Sequence, residues 1–291
     1  MKIKIEPGKY VVAVSGGMDS MVLLDLLSKM REVELVVANF NHGIRVDSAI
    51  DEELVALTTH KLDLPFEVGY GRLASTTSEA ASRAARYKFL EKVRQKYGAK
   101  AIITAHHQDD LIETAIINLL RGTGWRGLVA IMRSPGRVRP LLGISKKQLL
   151  SYAKANKLSW HEDKTNTDPK YLRNRVRTEI VPKLTAADRR QLLDAINRLA
   201  DGAPELEDKL SGLSAAIKAD GVISRRAFAA LPTTVGNELL LSWLKEAGAK
   251  DSDRRQVARL SLAIKSAPAG TRHNAGGKLW LEVGPASARL L

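Results

Sequence analysis

The sequence of 291 residues contains no cysteine, which excludes disulfides, thiolate metal sites and a cysteine nucleophile together. It has no long apolar run either. Stretches such as Tyr10 to Val14 and Leu239 to Leu241 fall far short of the roughly 20 residues that span a bilayer, so no membrane partner is expected. Glu6-Pro7-Gly8 interrupts any apolar region after the charged start, which argues against a signal peptide and for a cytoplasmic location. No internal repeat or low-complexity tract is present. The remaining absence is local: between Glu113 and Glu162 there is no acidic residue, against nine Lys and Arg. With a formal net charge of +14, this points to a polyanionic partner, because a summed positive field draws phosphates in. Lys146, Lys147, Lys154 and Lys157 equally suit a solvated helix face, but the five arginines from Arg121 to Arg139 suit one less well.

What is present reads as a soluble globular chain, 44% hydrophobic and 27% charged, long enough for a main domain and a smaller one. Tyr10-Val11-Val12-Ala13-Val14 is a buried-strand pattern, ended by Ser15-Gly16-Gly17 and followed by helical periodicity from Met21 to Leu27. Leu35 to Phe40 predicts a second strand and Ser48 to Leu62 a second helix. Phe66 to Val68 predicts a short strand, Thr77 to Tyr97 a long helix capped by Thr77 or Ser78, Ala101 to Ala105 a further strand and Asp109 to Leu120 a further helix. This alternation implies a parallel sheet covered on both faces, with its working site at the carboxyl ends of the strands. After Pro182 the pattern changes to a connecting helix from Asp188 to Leu199, then short helices and a hairpin around Asn274-Ala275-Gly276-Gly277. The expected division is a catalytic domain over 1–184, a connecting helix over 185–211 and a small C-terminal domain over 212–291.

Three groups of residues carry chemistry. The loop Ser15-Gly16-Gly17-Met18-Asp19-Ser20 sits between a strand and a helix, where backbone N–H groups and the helix dipole favour a phosphate. It lacks the Gly-Lys-Ser/Thr ending of a kinase-type loop. Asp19 is placed to hold the magnesium that accompanies a nucleotide, unless it only caps the helix. In the second group, His106, Asp110 and Glu113 are spaced i, i+4, i+7 and share a face if the helix includes them all. That face suits either a metal site or a pocket for a cationic amine, while helix capping alone explains Asp109 and Asp110. The third group, Arg173-Asn174-Arg175-Val176-Arg177, spaces arginines as a phosphate-binding segment more than as a helix face.

Together with Asn41 to Arg45, Glu79, Arg83, Arg86, Tyr87, Leu119 to Gly124, Arg126-Gly127-Leu128, Arg139-Pro140-Leu141 and Asp163 to Arg177, these motifs resemble the N-type ATP pyrophosphatases. Among those they resemble the tRNA(Ile)-lysidine synthases. The match covers most of residues 9 to 183, and its specificity lies in the order and spacing of individually weak motifs. The resemblance implies an α/β fold, a Rossmann-like domain with a parallel sheet plus a small, mostly helical C-terminal domain. It implies ATP and Mg²⁺ as cofactors and tRNA(Ile) and free L-lysine as substrates, and a homodimer is compatible with it. ATP would be bound by Ser15 to Ser20 with Phe40 and His42, and magnesium by Asp19. Catalysis would fall to Asp19, His106, Asp110 and Glu113, with lysine held by Asp110 and Glu113. The tRNA would be held by Arg83, Arg86, Arg121, Arg126, Arg139, Arg173, Asn174, Arg175 and Arg177. Longer members carry a further domain, so the C-terminal part here is expected to align the tRNA while specificity rests on the anticodon arm. Relatives that insert sulfur depend on cysteines and fit poorly. Relatives that activate small metabolites remain the alternative, since a purely RNA-binding module would leave His106, Asp110 and Glu113 without a task.

Overall fold

The computed structural model describes residues 1–41, 43, 48–71, 79–161, 172–249 and 253–291. His42, Ile44 and Arg45, the Thr77 or Ser78 cap, and Asp163 through Tyr171 lie outside the described residues. The chain divides into two compact units, Met1–Asn197 and Arg198–Leu291.

In the first unit, strands β1 (Gly8–Ala13), β2 (Val33–Asn41), β3 (Phe66–Tyr70), β4 (Ala101–Ile103) and β5 (Arg137–Val138) form one sheet in the order β3-β2-β1-β4-β5. Every neighbouring pair is parallel. Its helices are α1 (Met18–Ser28), α2 (Ser48–Lys61), α3 (Glu79–Lys96), α4 (Gln108–Leu120), α5 (Trp125–Leu128), α6 (Lys146–Ala155) and α7 (Leu172–Arg175), and α8 begins at Ala186 and runs to Ile217. Val12 pairs with Val37 and Ile103, while Val11 pairs with Val36 and Ile102. Because side chains alternate along a strand, these two rows face opposite ways. The Val12 row packs with Leu23, Leu27 and Leu149, and the Val11 row with Leu90 and Val93. Apolar runs buried on both faces are what a central parallel strand requires. The strand order reverses between β1 and β4, which leaves a crevice at their carboxyl ends. Buried Asn39 donates from Nδ2 to the Val14 carbonyl at 2.8 Å and so secures the last residue before the loop.

α8 is longer than the expected connecting helix and carries Pro204 inside it; the Gly202 and Pro204 pair is where pattern reading stops. The boundary between the units falls within this helix. The second unit adds α9 (Arg225–Ala229), α10 (Thr233–Glu246) and α11 (Arg254–Ser266). It also holds a five-stranded antiparallel sheet of β6 (Lys218–Ala219), β7 (Val222–Ser224), β8 (Thr271–Gly276), β9 (Leu279–Val283) and β10 (Ser287–Leu290), ordered β6-β7-β10-β9-β8. The expected hairpin is β8–β9; the rest of the sheet went unpredicted. Its core is anchored by fully buried Trp243, whose Nε1 donates to Ser214 Oγ at 2.7 Å. Among the described residues no helix is long and apolar enough to cross a membrane.

Candidate active site

The loop after β1 opens into a cavity of about 260 Å³ lined by Ser15, Gly17, Asp19, Ser20, Phe40, Arg86, Thr104, His106 and Asp110, among others. Gly17 is the N-cap of α1 and supplies no capping side chain, so first-turn N–H groups that have no acceptor within the helix are available to an anion. Ser20 is turned back into the loop: its hydroxyl donates to Gly17 O at 2.8 Å and accepts from the Ser15 N–H at 3.1 Å. Gly16 and Met18 do not line the cavity; Met18 packs on the core. Phe40 lines the wall formed by the end of β2, its ring 5.6 Å from that of Phe89.

The acids beyond β4 are arranged differently from the expected single face. α4 starts at Gln108 with His107 as its N-cap, so His106 precedes the helix and does not share a face with Asp110 and Glu113. His107 has extended backbone, and neighbouring extended residues point to opposite sides. His107 therefore meets the acids: Nε2 lies 3.5 Å from both Asp19 Oδ2 and Asp110 Oδ2. Its backbone N–H donates to Asp110 Oδ2 at 2.9 Å, and its Nδ1 accepts from the Asp109 N–H at 3.2 Å, which completes a capping box. Burial alone would lower the His107 pKa, but the hydrogen bond to Asp19 and the charge of Asp110 raise it above its ordinary value. Sequence reasoning missed this residue, although a histidine three positions before Asp110 carried the capping-box signal.

His106 faces the other way, 2.7 Å from Thr104 Oγ1 through its Nδ1. Burial, and then the charges of Arg139, Arg83, Arg86 and Arg173, push its pKa down to about 3. Three of these cations, Arg83, Arg86 and Arg139, also act on Tyr87, together with Arg137. Arg137 lies 3.9 Å from its ring centroid, Arg83 5.0 Å and Arg86 5.4 Å. Burial raises the phenol, yet these guanidiniums and Arg139 bring its pKa below the usual value. The result is a basic wall beside the cavity.

Glu113 is 3% exposed and both its oxygens are taken by Arg177, with Nε to Oε1 at 2.7 Å and Nη2 to Oε2 at 2.8 Å. Arg177 Nη2 also stands 3.5 Å from Asp110 Oδ1. This places Arg177 among the acids rather than free for a phosphate. The segment is also helical, α7 followed by a π-helical turn over Val176–Ile180. Asp109 is paired with Arg189 at 3.0 Å. Of the other expected arginines, Arg121 and Arg175 are exposed, Arg126 stacks 4.6 Å over Trp125, and Arg173 and Asn174 are half-buried. Arg139 is only 9% exposed and donates to the Ile131 carbonyl at 2.5 Å, which makes it a structural tie.

A magnesium ion fits this donor set. Asp19 Oδ1 is buried and has no hydrogen-bond partner among the described residues, an oxygen left over for a hard cation. No cluster of three His, Asp or Glu that could hold a metal occurs among the described residues, so phosphate oxygens and water would supply the other ligands.

The PP-loop domain family matches residues 2–184, the span that holds the loop, both histidines and Arg177. The tRNA(Ile)-lysidine synthase of Rhodopseudomonas palustris is 34% identical over 294 residues, covering 94% of this chain and 84% of that protein. The chain belongs to the tRNA(Ile)-lysidine synthase family of PP-loop proteins. The synthase of the same name from Burkholderia mallei is 33% identical over 273 residues, covering 88% of this chain and 56% of its own length. That of Geobacter sulfurreducens is 39% identical over 222 residues, covering 72% and 46%. The chain thus spans about half the length of the latter two and most of the length of the first. Among solved structures, the U34-tRNA thiolase NcsA from Methanococcus maripaludis shares the fold at TM-score 0.55 and 17% identity, over 68% of this chain and 74% of that one.

Proposed function

We propose that the chain joins free L-lysine to C2 of the wobble-position cytidine of tRNA(Ile) with the CAU anticodon, using ATP and giving lysidine, AMP and pyrophosphate. The observation that supports this most is that the phosphate loop and Asp110 line one cavity at the switch point of the sheet. In the first step the C2 oxygen attacks the α-phosphorus and pyrophosphate departs. The loop N–H groups favour the charge gathering on that leaving group. Magnesium held by Asp19 would offset phosphate charge. In the second step the lysine amine attacks C2, loses a proton, and the C2–O bond breaks with AMP.

A lysine side chain is cationic at neutral pH, because its amine ordinarily titrates near about 10.4, so it needs acids to bind it. Asp110 offers a carboxylate at the cavity wall, and Glu113 acts through the Arg177 that it holds. His106 stays neutral, and with a pKa of about 3 it is too weak a base to take the amine proton, which leaves it the role of orienting the reacting groups. Exposed Arg121 and Arg175, with Arg83, Arg86, Arg126, Arg173 and Asn174, would hold phosphates of the anticodon arm while the target base is splayed into the cavity. The test is incubation with ATP, magnesium, labelled lysine and unmodified tRNA(Ile). Lysine-dependent label in the tRNA is expected, and ATP turnover indifferent to both lysine and tRNA would sink the proposal in favour of a metabolite-activating enzyme.

A further inference from the structure

Gly16 is held from outside the cavity by two residues that the reaction above does not use. Its φ is +87°, and a Cβ built on it would lie 3.1 to 3.3 Å from the Cβ, carbonyl oxygen and Cα of Asp51, in the first turn of α2. Only glycine meets both conditions. The Gly16 carbonyl accepts the backbone N–H of His161 at 3.1 Å, and the His161 ring is fixed in turn by Nδ1 to Asp51 Oδ1 at 3.0 Å.

We infer that Asp51 and His161 form a latch that sets the peptide plane between Gly16 and Gly17 and thereby aims the Gly17 N–H at the pyrophosphate of ATP. The peptide is trans, and in a planar trans peptide the carbonyl of one residue and the N–H of the next point in opposite directions. Anchoring Gly16 O on His161 therefore turns the Gly17 N–H the other way, and it is Gly17, not Gly16, that lines the cavity. The Asp51 and His161 side chains are 25% and 42% exposed, and an ion pair so open to water adds little to stability. Its effect lies in orientation, because a donor that wanders loses its bond to the anion while the fold persists. The latch rests on the reading that this loop holds pyrophosphate. Asp51 and His161 are positioning residues: neither lines the cavity.

The test uses the full chain and two probes, magnesium pyrophosphate and AMP, in calorimetric titrations, with steady-state kinetics for ATP. His161→Phe keeps the backbone donor and a ring but loses the bond to Asp51. It should weaken pyrophosphate binding and raise the KM for ATP about five- to tenfold, a shift of the order that one modest interaction confers. AMP affinity and the melting temperature should hold, while kcat should fall as well, because the misaimed donor also serves the charge on departing pyrophosphate. His161→Asn restores a donor to Asp51 and should recover most of the loss. Unchanged pyrophosphate affinity in His161→Phe overturns the latch. So does a joint fall in pyrophosphate affinity, AMP affinity and melting temperature, which would make the pair merely structural. A wild-type chain that binds no pyrophosphate would overturn the loop reading itself, and is told apart by failing before any variant is compared.

Discussion

Arg177 holds both oxygens of buried Glu113 across 64 residues of sequence, which ties the helical segment after α7 to the acids of α4. Removing one partner strands the other. Arg177→Met leaves a carboxylate 3% exposed without a counter-charge and should cost about 3 kcal/mol. Glu113→Ala leaves a cation that reaches water and should cost about 1 to 2 kcal/mol. The double substitution should cost less than the sum by at least about 1 kcal/mol. Urea unfolding of the four proteins measures this, and strict additivity would show that the pair is not coupled.

Gly16 and Gly212 offer a matched contrast. Gly16 has a positive φ and meets Asp51, whereas Gly212 lies in α8 with nothing within 4 Å of an added Cβ. Gly16→Ala should destabilise by about 1 to 3 kcal/mol and lower ATP affinity. Gly212→Ala should stabilise by up to about 1 kcal/mol and leave ATP affinity alone. Thermal melts and nucleotide titration on both variants decide it.

The arginines divide by burial. Arg121→Ala and Arg175→Ala remove exposed cations and should weaken tRNA binding, lowering the slope of log affinity against log salt by up to about 0.9 for each phosphate no longer neutralised. Arg139→Ala should instead lower the melting temperature, because it frees the Ile131 carbonyl. An unchanged salt slope in both exposed variants would return them to a solvated role.

His106 gives stability a pH signature. Its pKa falls from 6.5 to about 3 on folding, so the unfolded chain binds the proton first as pH drops. The native state then loses stability between pH 6.5 and about 3, at up to about 1.4 kcal/mol per unit. Subtracting the pH profile of His106→Gln from that of the wild type should leave this slope alone. A flat difference would mean that His106 titrates normally.

Much of the first unit was legible because each chemical motif follows directly on an apolar strand, so Ser15, Asp19 and Asp110 converge once the strands are parallel. The neighbouring histidines were not separable by spacing: which one joins the acids depends on where α4 begins, and a start at Gln108 turns His107 inward and His106 toward the arginines. The Arg177 pairing was hidden by its distance along the chain and by a local helical turn that alternating arginines disguise. In the second unit, strands as short as Lys218–Ala219 and Val222–Ser224 carry too few residues to show a period of two, so only the glycine-marked hairpin stood out.

In the proposed reaction ATP activates the target base at the base's own C2 oxygen. The direct measurement is mass spectrometry of AMP formed from tRNA(Ile) carrying heavy oxygen at C2 of the wobble cytidine. The label should leave the base and appear in AMP as lysine enters. Unlabelled AMP accompanying lysine incorporation would contradict it.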